Sequence, residues 1–183
     1  MLAIIYQLGT VILAAGALLA VLSIVYVSWK NGISPMPSSV QARQAVSAEI
    51  NQLSEYGVMV EAGSGWGNLA FHIAKACKSW QISGVENSLI PLAVSKLVVR
   101  LKQFVNLKFV RGDIYTYPYD HVDAVVCYLY PGAMKKLSPI WRAQLVPGAR
   151  IISVCFALPD WEPERVITCG DLYRTKVYVY VQD

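Results

Sequence analysis

From Val58 to Phe156 short β-branched runs alternate with longer amphipathic ones, and that alternation restricts the chain to βαβ units around a parallel sheet. Five strands are predicted, at Val58–Glu61, Gln81–Glu86, Leu107–Arg111, Val122–Tyr128 and Ala149–Phe156. Helices are predicted near Trp66–Lys78, Leu89–Phe104 and Ala133–Leu145, each bounded by Gly, Pro or Ser. The pattern then changes. Arg165–Cys169 and Thr175–Val181 are strand-like runs separated only by Gly170–Arg174, with no room for a helix, so an antiparallel hairpin is expected at the sheet edge. Upstream, Ser38 followed by Gln41 fits a capping box, and Val40, Ala45, Val46, Ile50 and Leu53 give a loose apolar stripe for a leading helix that runs to Tyr56.

The first thirty residues obey different rules. All 16 Lys and Arg and all 12 Asp and Glu lie at or after Lys30, and the run before it is rich in Leu, Ile, Val and Ala. It exceeds the roughly 20 residues needed to cross a bilayer core, so a single membrane-spanning helix is expected, with Tyr26 and Trp29 at an interface. A cleaved signal peptide fits poorly, because there is no basic leader and no small-residue cleavage site followed by polar sequence. Lys30 and Arg43 flank the run on its C-terminal side, which places the rest of the chain on the cytoplasmic face of an inner membrane, or its mitochondrial equivalent. A joint containing Gly32, Pro35 and Pro37 follows.

The net charge of +4 is modest, and no nucleic-acid partner is expected. Lys96, Arg100, Lys102, Lys108 and Arg111 form a basic stretch without an acid, read mainly as a solvated face and secondarily as a surface for anionic lipid or an acidic partner. Cys77, Cys127, Cys155 and Cys169 contain no close pair, so they are expected to be reduced, mostly buried thiols with no metal role.

The first strand runs into Glu61-Ala62-Gly63-Ser64-Gly65-Trp66-Gly67 and a helix opens behind it. Glycines let a backbone turn sharply and approach a ligand, and the free amides of a first helical turn hold anionic groups. The spacing is G-x-G-x-G, with Glu61 two residues ahead of the first glycine. Glu86, followed by Asn87, ends the second strand, where a carboxylate accepts from ribose hydroxyls. Asp113, followed by Ile114, ends the third, where it is placed to receive an adenine amino group. A glycine turn alone is weak evidence. Three acids at the ends of three successive strands point to S-adenosylmethionine, held by Glu61, Gly63, Ser64, Gly65, Gly67, Glu86, Asn87, Asp113 and Ile114.

With those features the chain resembles the seven-stranded class I methyltransferases. Pro37-Ser38-Ser39, Leu129-Tyr130-Pro131, and the run from Val146-Pro147-Gly148 to Leu158-Pro159-Asp160-Trp161-Glu162-Pro163 are similar to the membrane-anchored protein-lysine methyltransferases of ATP synthase subunit c and the adenine nucleotide translocase. It departs from them in Trp66, where a small acid is common, and in lacking an evident transit peptide. The resemblance implies an anchor at 1–30, a linker and leading helix at 31–56, and a Rossmann-like methyltransferase domain at 57–183. The implied substrate is a protein lysine in or near the membrane; a quinone or lipid acceptor, or a cofactor-binding module without catalysis, are the competing readings. Methyl transfer needs alignment and dryness more than reactive side chains. Tyr128, Tyr130 and Pro131, after the fourth strand, are the catalytic candidates, and Trp161 the substrate-pocket candidate. His72 and His121 are read as structural, and Asp123 is discounted because it opens strand four at the far end of the sheet.

Overall fold

The computed structural model describes residues 2–31 and 37–183 and divides into two compact units, Met1–Pro35 and Met36–Asp183. The joint expected between them falls largely on residues 32–36, outside the described residues. The first unit is one helix, α1 (Leu2–Asn31), uncharged up to Lys30. Its longest unbroken run of described side chains is 6–19, and the side chain of Trp29 is outside it. Among the described residues, no helix is long and apolar enough to cross a membrane, so the expected spanning segment is not established by the structure.

The second unit is built on a seven-stranded sheet in the order β3-β2-β1-β4-β5-β7-β6. Its elements are α2 (Val40–Leu53), β1 (Gly57–Ala62), α3 (Asn68–Ala76), β2 (Trp80–Glu86), α4 (Leu89–Lys102), β3 (Leu107–Arg111), β4 (Ala124–Cys127), α5 (Pro131–Gln144), β5 (Arg150–Val154), β6 (Arg165–Thr168) and β7 (Lys176–Val181). β1 to β5 pair in parallel, and β7 turns antiparallel against β5 with β6 outside it, as the hairpin reading anticipates. β4 is buried along its whole length, because helices or loops cover both faces of a parallel sheet.

α2, α3 and α4 contribute to one core, around Ile50, Ile73, Leu92 and Phe109. The opposite core is covered by α5 and by irregular chain. Trp141 and Tyr119 are fully buried there with their rings edge to face, and the Tyr119 hydroxyl donates to the Ile114 carbonyl at 2.8 Å. The capping box is corrected by one position. Ser39, not Ser38, caps α2, its hydroxyl accepting from the Ala42 N–H at 3.1 Å, and Ala42 has no polar group to reciprocate. Ser38 is instead buried with its hydroxyl unpaired. The chain leaves the edge strand β3 and returns to β4 beside β1, so the order reverses between β1 and β4. Ligands bind at the carboxyl ends of the strands at such a reversal.

Candidate active site

The turn after β1 sits at that reversal. Gly63, Gly65 and Gly67 all have positive φ, at 74°, 52° and 76°. Side chains are excluded for two reasons at Gly63 and Gly67: the backbone is left-handed, and a Cβ would lie 2.7 Å from Leu129 Cδ2 at the first and 2.5 Å from Phe109 Cζ at the second. The Gly63 and Ser64 N–H groups both donate to the Val85 carbonyl at 3.0 Å, which folds the turn across the end of β2.

Glu86 fixes the turn in place. One carboxylate oxygen accepts from the Gly65 N–H at 2.8 Å and the other from the Ser88 N–H at 2.7 Å, joining the glycine turn to the start of α4. The Glu86 carbonyl accepts from the Gly112 N–H at 3.2 Å, bringing the exit of β3 alongside. Asp113 follows there, exposed, with its carboxylate accepting from the Tyr115 N–H at 2.9 Å. Asn87 is exposed beside Glu86 and accepts from the Ser88 hydroxyl at 3.2 Å. Ile114 is half-buried against the α5-side core.

Glu61 lies beneath this rim, buried, and accepts from the Ala70 N–H in the first turn of α3 at 3.1 Å. Burial pushes its carboxyl up to about 8; the Ala70 hydrogen bond opposes the rise and the nearby Glu86 charge adds to it. Glu61 is therefore mainly neutral at pH 7. The structure thus brings Glu61, Glu86, Asp113 and the glycine turn to one rim. These residues fit an adenosyl sulfonium with its amino-acid tail: three left-handed glycines let the backbone of the turn approach a ligand closely, and Ser64 Oγ is buried with no hydrogen-bond partner.

The β4 exit meets the same rim through Leu129, which packs on Gly63. Tyr128 is half-buried, and burial followed by its neighbours Cys155 and Asp171 raises its hydroxyl pKa. Tyr130 is the residue just before α5, with no side-chain capping bond, and Pro131 occupies the first helical position, where its missing N–H costs nothing. Across from Tyr130 stands Tyr115, a residue that sequence reasoning missed. Burial, then its contact with Tyr130, pushes the Tyr115 hydroxyl up to about 12, and Lys136 Nζ lies 5.4 Å from its ring centre. Its only signal in the sequence is its place two residues after Asp113. Ser95 was also missed; fully buried on α4, its hydroxyl lies 3.4 Å from the Gly65 carbonyl.

Trp161 is placed elsewhere. Its indole N–H donates to Ser138 Oγ at 2.9 Å, Arg142 stacks 4.4 Å from its ring centre, and its ring meets Tyr180 edge to face. Arg142 is in the last turn of α5, and Tyr180 pairs with Ile151 near the start of β5. The loop after β5 has therefore turned back from the rim, and Trp161 serves as its anchor. Trp161→Phe is expected to lower stability by about 1 kcal/mol, the worth of one buried hydrogen bond, and to leave cofactor affinity unchanged. Thermal melting and calorimetric titration of the variant check this. His72 is half-buried on α3 with its pKa lowered by burial, then by Arg43 and Lys75. His121 is exposed beside Asp120. Asp123 accepts from the Val58 N–H at 2.7 Å at the amino end of the sheet. A cleft of about 530 Å³ opens at that same end, around Tyr56, Trp80 and Arg150, and shares no residue with the rim.

A glycine turn at the reversal point of a 3-2-1-4-5-7-6 sheet, with acids at the ends of β2 and β3, defines a class I S-adenosylmethionine-dependent methyltransferase. The ANTKMT methyltransferase domain matches residues 61–165, more than half of the chain, and the protein belongs to that family. It is 27% identical over 153 residues to a protein-lysine N-methyltransferase of Saccharolobus islandicus, spanning 80% of this chain and 91% of that one. Among solved structures it is similar to an RNA methyltransferase from Salinibacter ruber in complex with S-adenosyl-L-homocysteine, with TM-score 0.71, 24% identity, and 80% and 93% of the two chains covered. It is also similar to precorrin-6y C5,15-methyltransferase from Geobacter metallireducens, with TM-score 0.57, 13% identity, and 81% and 93% covered. Acceptors so different on one fold leave the acceptor to be argued from the site itself.

Proposed function

We propose that the protein is a protein-lysine N-methyltransferase acting on a membrane or membrane-associated protein, with residues 1–30 as its anchor and residues 57–183 as its catalytic domain on the cytoplasmic side. The observation that carries the reading is the tyrosine-rich β4 exit, Tyr128 and Tyr130, packed against the glycine turn through Leu129. It is supported by the similarity to a protein-lysine N-methyltransferase. The anchor is supported by the sequence, which has no charged side chain before Lys30, and the orientation by Lys30 and Arg43.

In this reading Glu86 accepts from the ribose hydroxyls, Asp113 from the adenine amino group, and the glycine turn and Glu61 hold the amino-acid end. The cofactor supplies an electrophilic methyl group on a sulfonium. A substrate lysine must reach it neutral, although its unperturbed pKa is near 10.4. Passage over the tyrosine-lined β4 exit removes water from the amine, which favours its neutral form, while the ring faces tolerate the ammonium on entry and the methylated product on exit. The tyrosine hydroxyls orient the nitrogen lone pair along the line of displacement, and Pro131 fixes the turn that carries Tyr130.

Incubating membranes and the purified full chain with methyl-radiolabelled cofactor, followed by acid hydrolysis of labelled bands, tests this. Label recovered as methyl-lysine from a membrane protein is expected. Label extracted with quinone or lipid, or no transfer at all, overturns it.

A further inference from the structure

α4 buries one side only. Pro91, Leu92 and Ser95 face the sheet, while Ile90, Val94, Leu97 and Leu101 recur at spacings of four, three and four residues along the opposite side. The face turned to solvent is therefore the apolar one, with Leu97 56% and Leu101 72% exposed. Gln103 ends the helix with φ of 52°, and the turn after it leaves Val105 95% exposed beside Phe104, which tucks onto Phe71. Lys96 and Arg100 border the stripe along one side, Lys102 closes it, and β3, an edge strand of the sheet, adds exposed Arg111 on the same face as α4. None of these four cations takes part in an ion pair among the described residues, and no acid occurs between Glu86 and Asp113.

We infer that the outer face of α4, with the Val105 turn, is a docking surface for an anionic lipid bilayer. An aliphatic stripe bordered by basic residues is the pattern of a helix that lies in a bilayer interface, where long basic side chains reach from the apolar layer to the headgroups. A second copy packed antiparallel is a poor occupant, since that two-fold contact would set one cationic flank against another. The inference draws on α4 and β3 alone and holds whether or not α1 spans the membrane. α4 begins three residues after Glu86, so docking along it holds the cofactor rim beside the bilayer surface.

The test uses the full chain with an environment-sensitive fluorophore on Leu97→Cys, in a background where Cys155→Ser removes the one native thiol that is not buried. Ala143→Cys, exposed on α5, carries the comparison label. The chain is reconstituted with vesicles of phosphatidylcholine alone or mixed with phosphatidylglycerol. The label at position 97 is expected to shift to the blue only with the anionic vesicles, and the label at 143 not at all. Lys96→Glu and Arg100→Glu are each expected to lower the docked-to-undocked ratio by at least about fivefold, since one cation near such a surface is worth about 1 kcal/mol. Equal shifts in both vesicle types, an equal shift at position 143, or a shift without vesicles that grows with protein concentration overturns the inference.

Discussion

Glu86→Ala is expected to weaken S-adenosylmethionine binding by about 10²- to 10⁴-fold. Two hydrogen bonds from ribose hydroxyls to a carboxylate are worth about 1.5–3 kcal/mol each, and every 1.4 kcal/mol is tenfold in affinity. The same substitution removes the acceptor for the Gly65 and Ser88 N–H groups, so the glycine turn loses its tie to the start of α4. Glu86→Gln separates the two effects. Its amide oxygen still accepts from the Gly65 N–H, but it lacks the charge and one acceptor, so an intermediate loss is expected. Isothermal titration of each variant, with melting temperatures taken without ligand, reads binding and folding apart. Near-normal affinity in the alanine variant would remove the proposed ribose site.

What the sequence disclosed and what it withheld divide along physical lines. The alternation of β-branched and amphipathic runs revealed all seven strands and the four helices of the second unit, because burial on two faces or one leaves a period that survives in composition. The ends of the elements were less legible. Val122–Tyr128 is apolar almost throughout, yet β4 stops at Cys127 because its partner strand β1 ends opposite it and Gly63 turns away. Ala149–Phe156 is similarly cut at Val154, since Cys155 takes a φ of 73°, which nothing in a cysteine announces. α5 starts at Pro131, two residues before the expected Ala133, because a proline at the first helical position is no interruption.

The same limit governs the rim. Glu61, Glu86 and Asp113 were legible because strand ends in a parallel sheet gather at one edge, so position along a strand already fixes position in space. Trp161 was not, because its loop reverses through Cys155 and Asp160, both with positive φ, and local sequence does not encode where such a loop lands. Tyr115 escaped for the complementary reason: its partner Tyr130 lies fifteen residues away in a different turn, and only the return from β3 to β4 brings the two hydroxyls together.

Glu61→Gln is expected to abolish a fall in stability that the unmodified protein shows as pH rises. Unfolded, Glu61 titrates near 4.5; folded, burial holds its carboxyl near 8. Between those values the folded state keeps a proton that the unfolded state has released. The contribution is therefore fully present below pH 4.5 and is lost as pH climbs through 8. At about 1.4 kcal/mol for each unit of displacement, the loss amounts to a few kcal/mol. Glutamine cannot ionise, yet its carbonyl still accepts from the Ala70 N–H, so the variant should melt at a higher temperature than the parent at pH 8.5 and at nearly the same temperature at pH 5. The effect extends to binding. A cationic ligand on the rim favours the ionised carboxylate, so binding should release a proton and tighten with rising pH below 8, by at most tenfold per unit. Calorimetry in two buffers of different ionisation enthalpy counts that proton directly. Parallel pH profiles for parent and variant, in melting or in proton release, would show that Glu61 is ionised in the folded protein and that the cost of its burial is met by some other means.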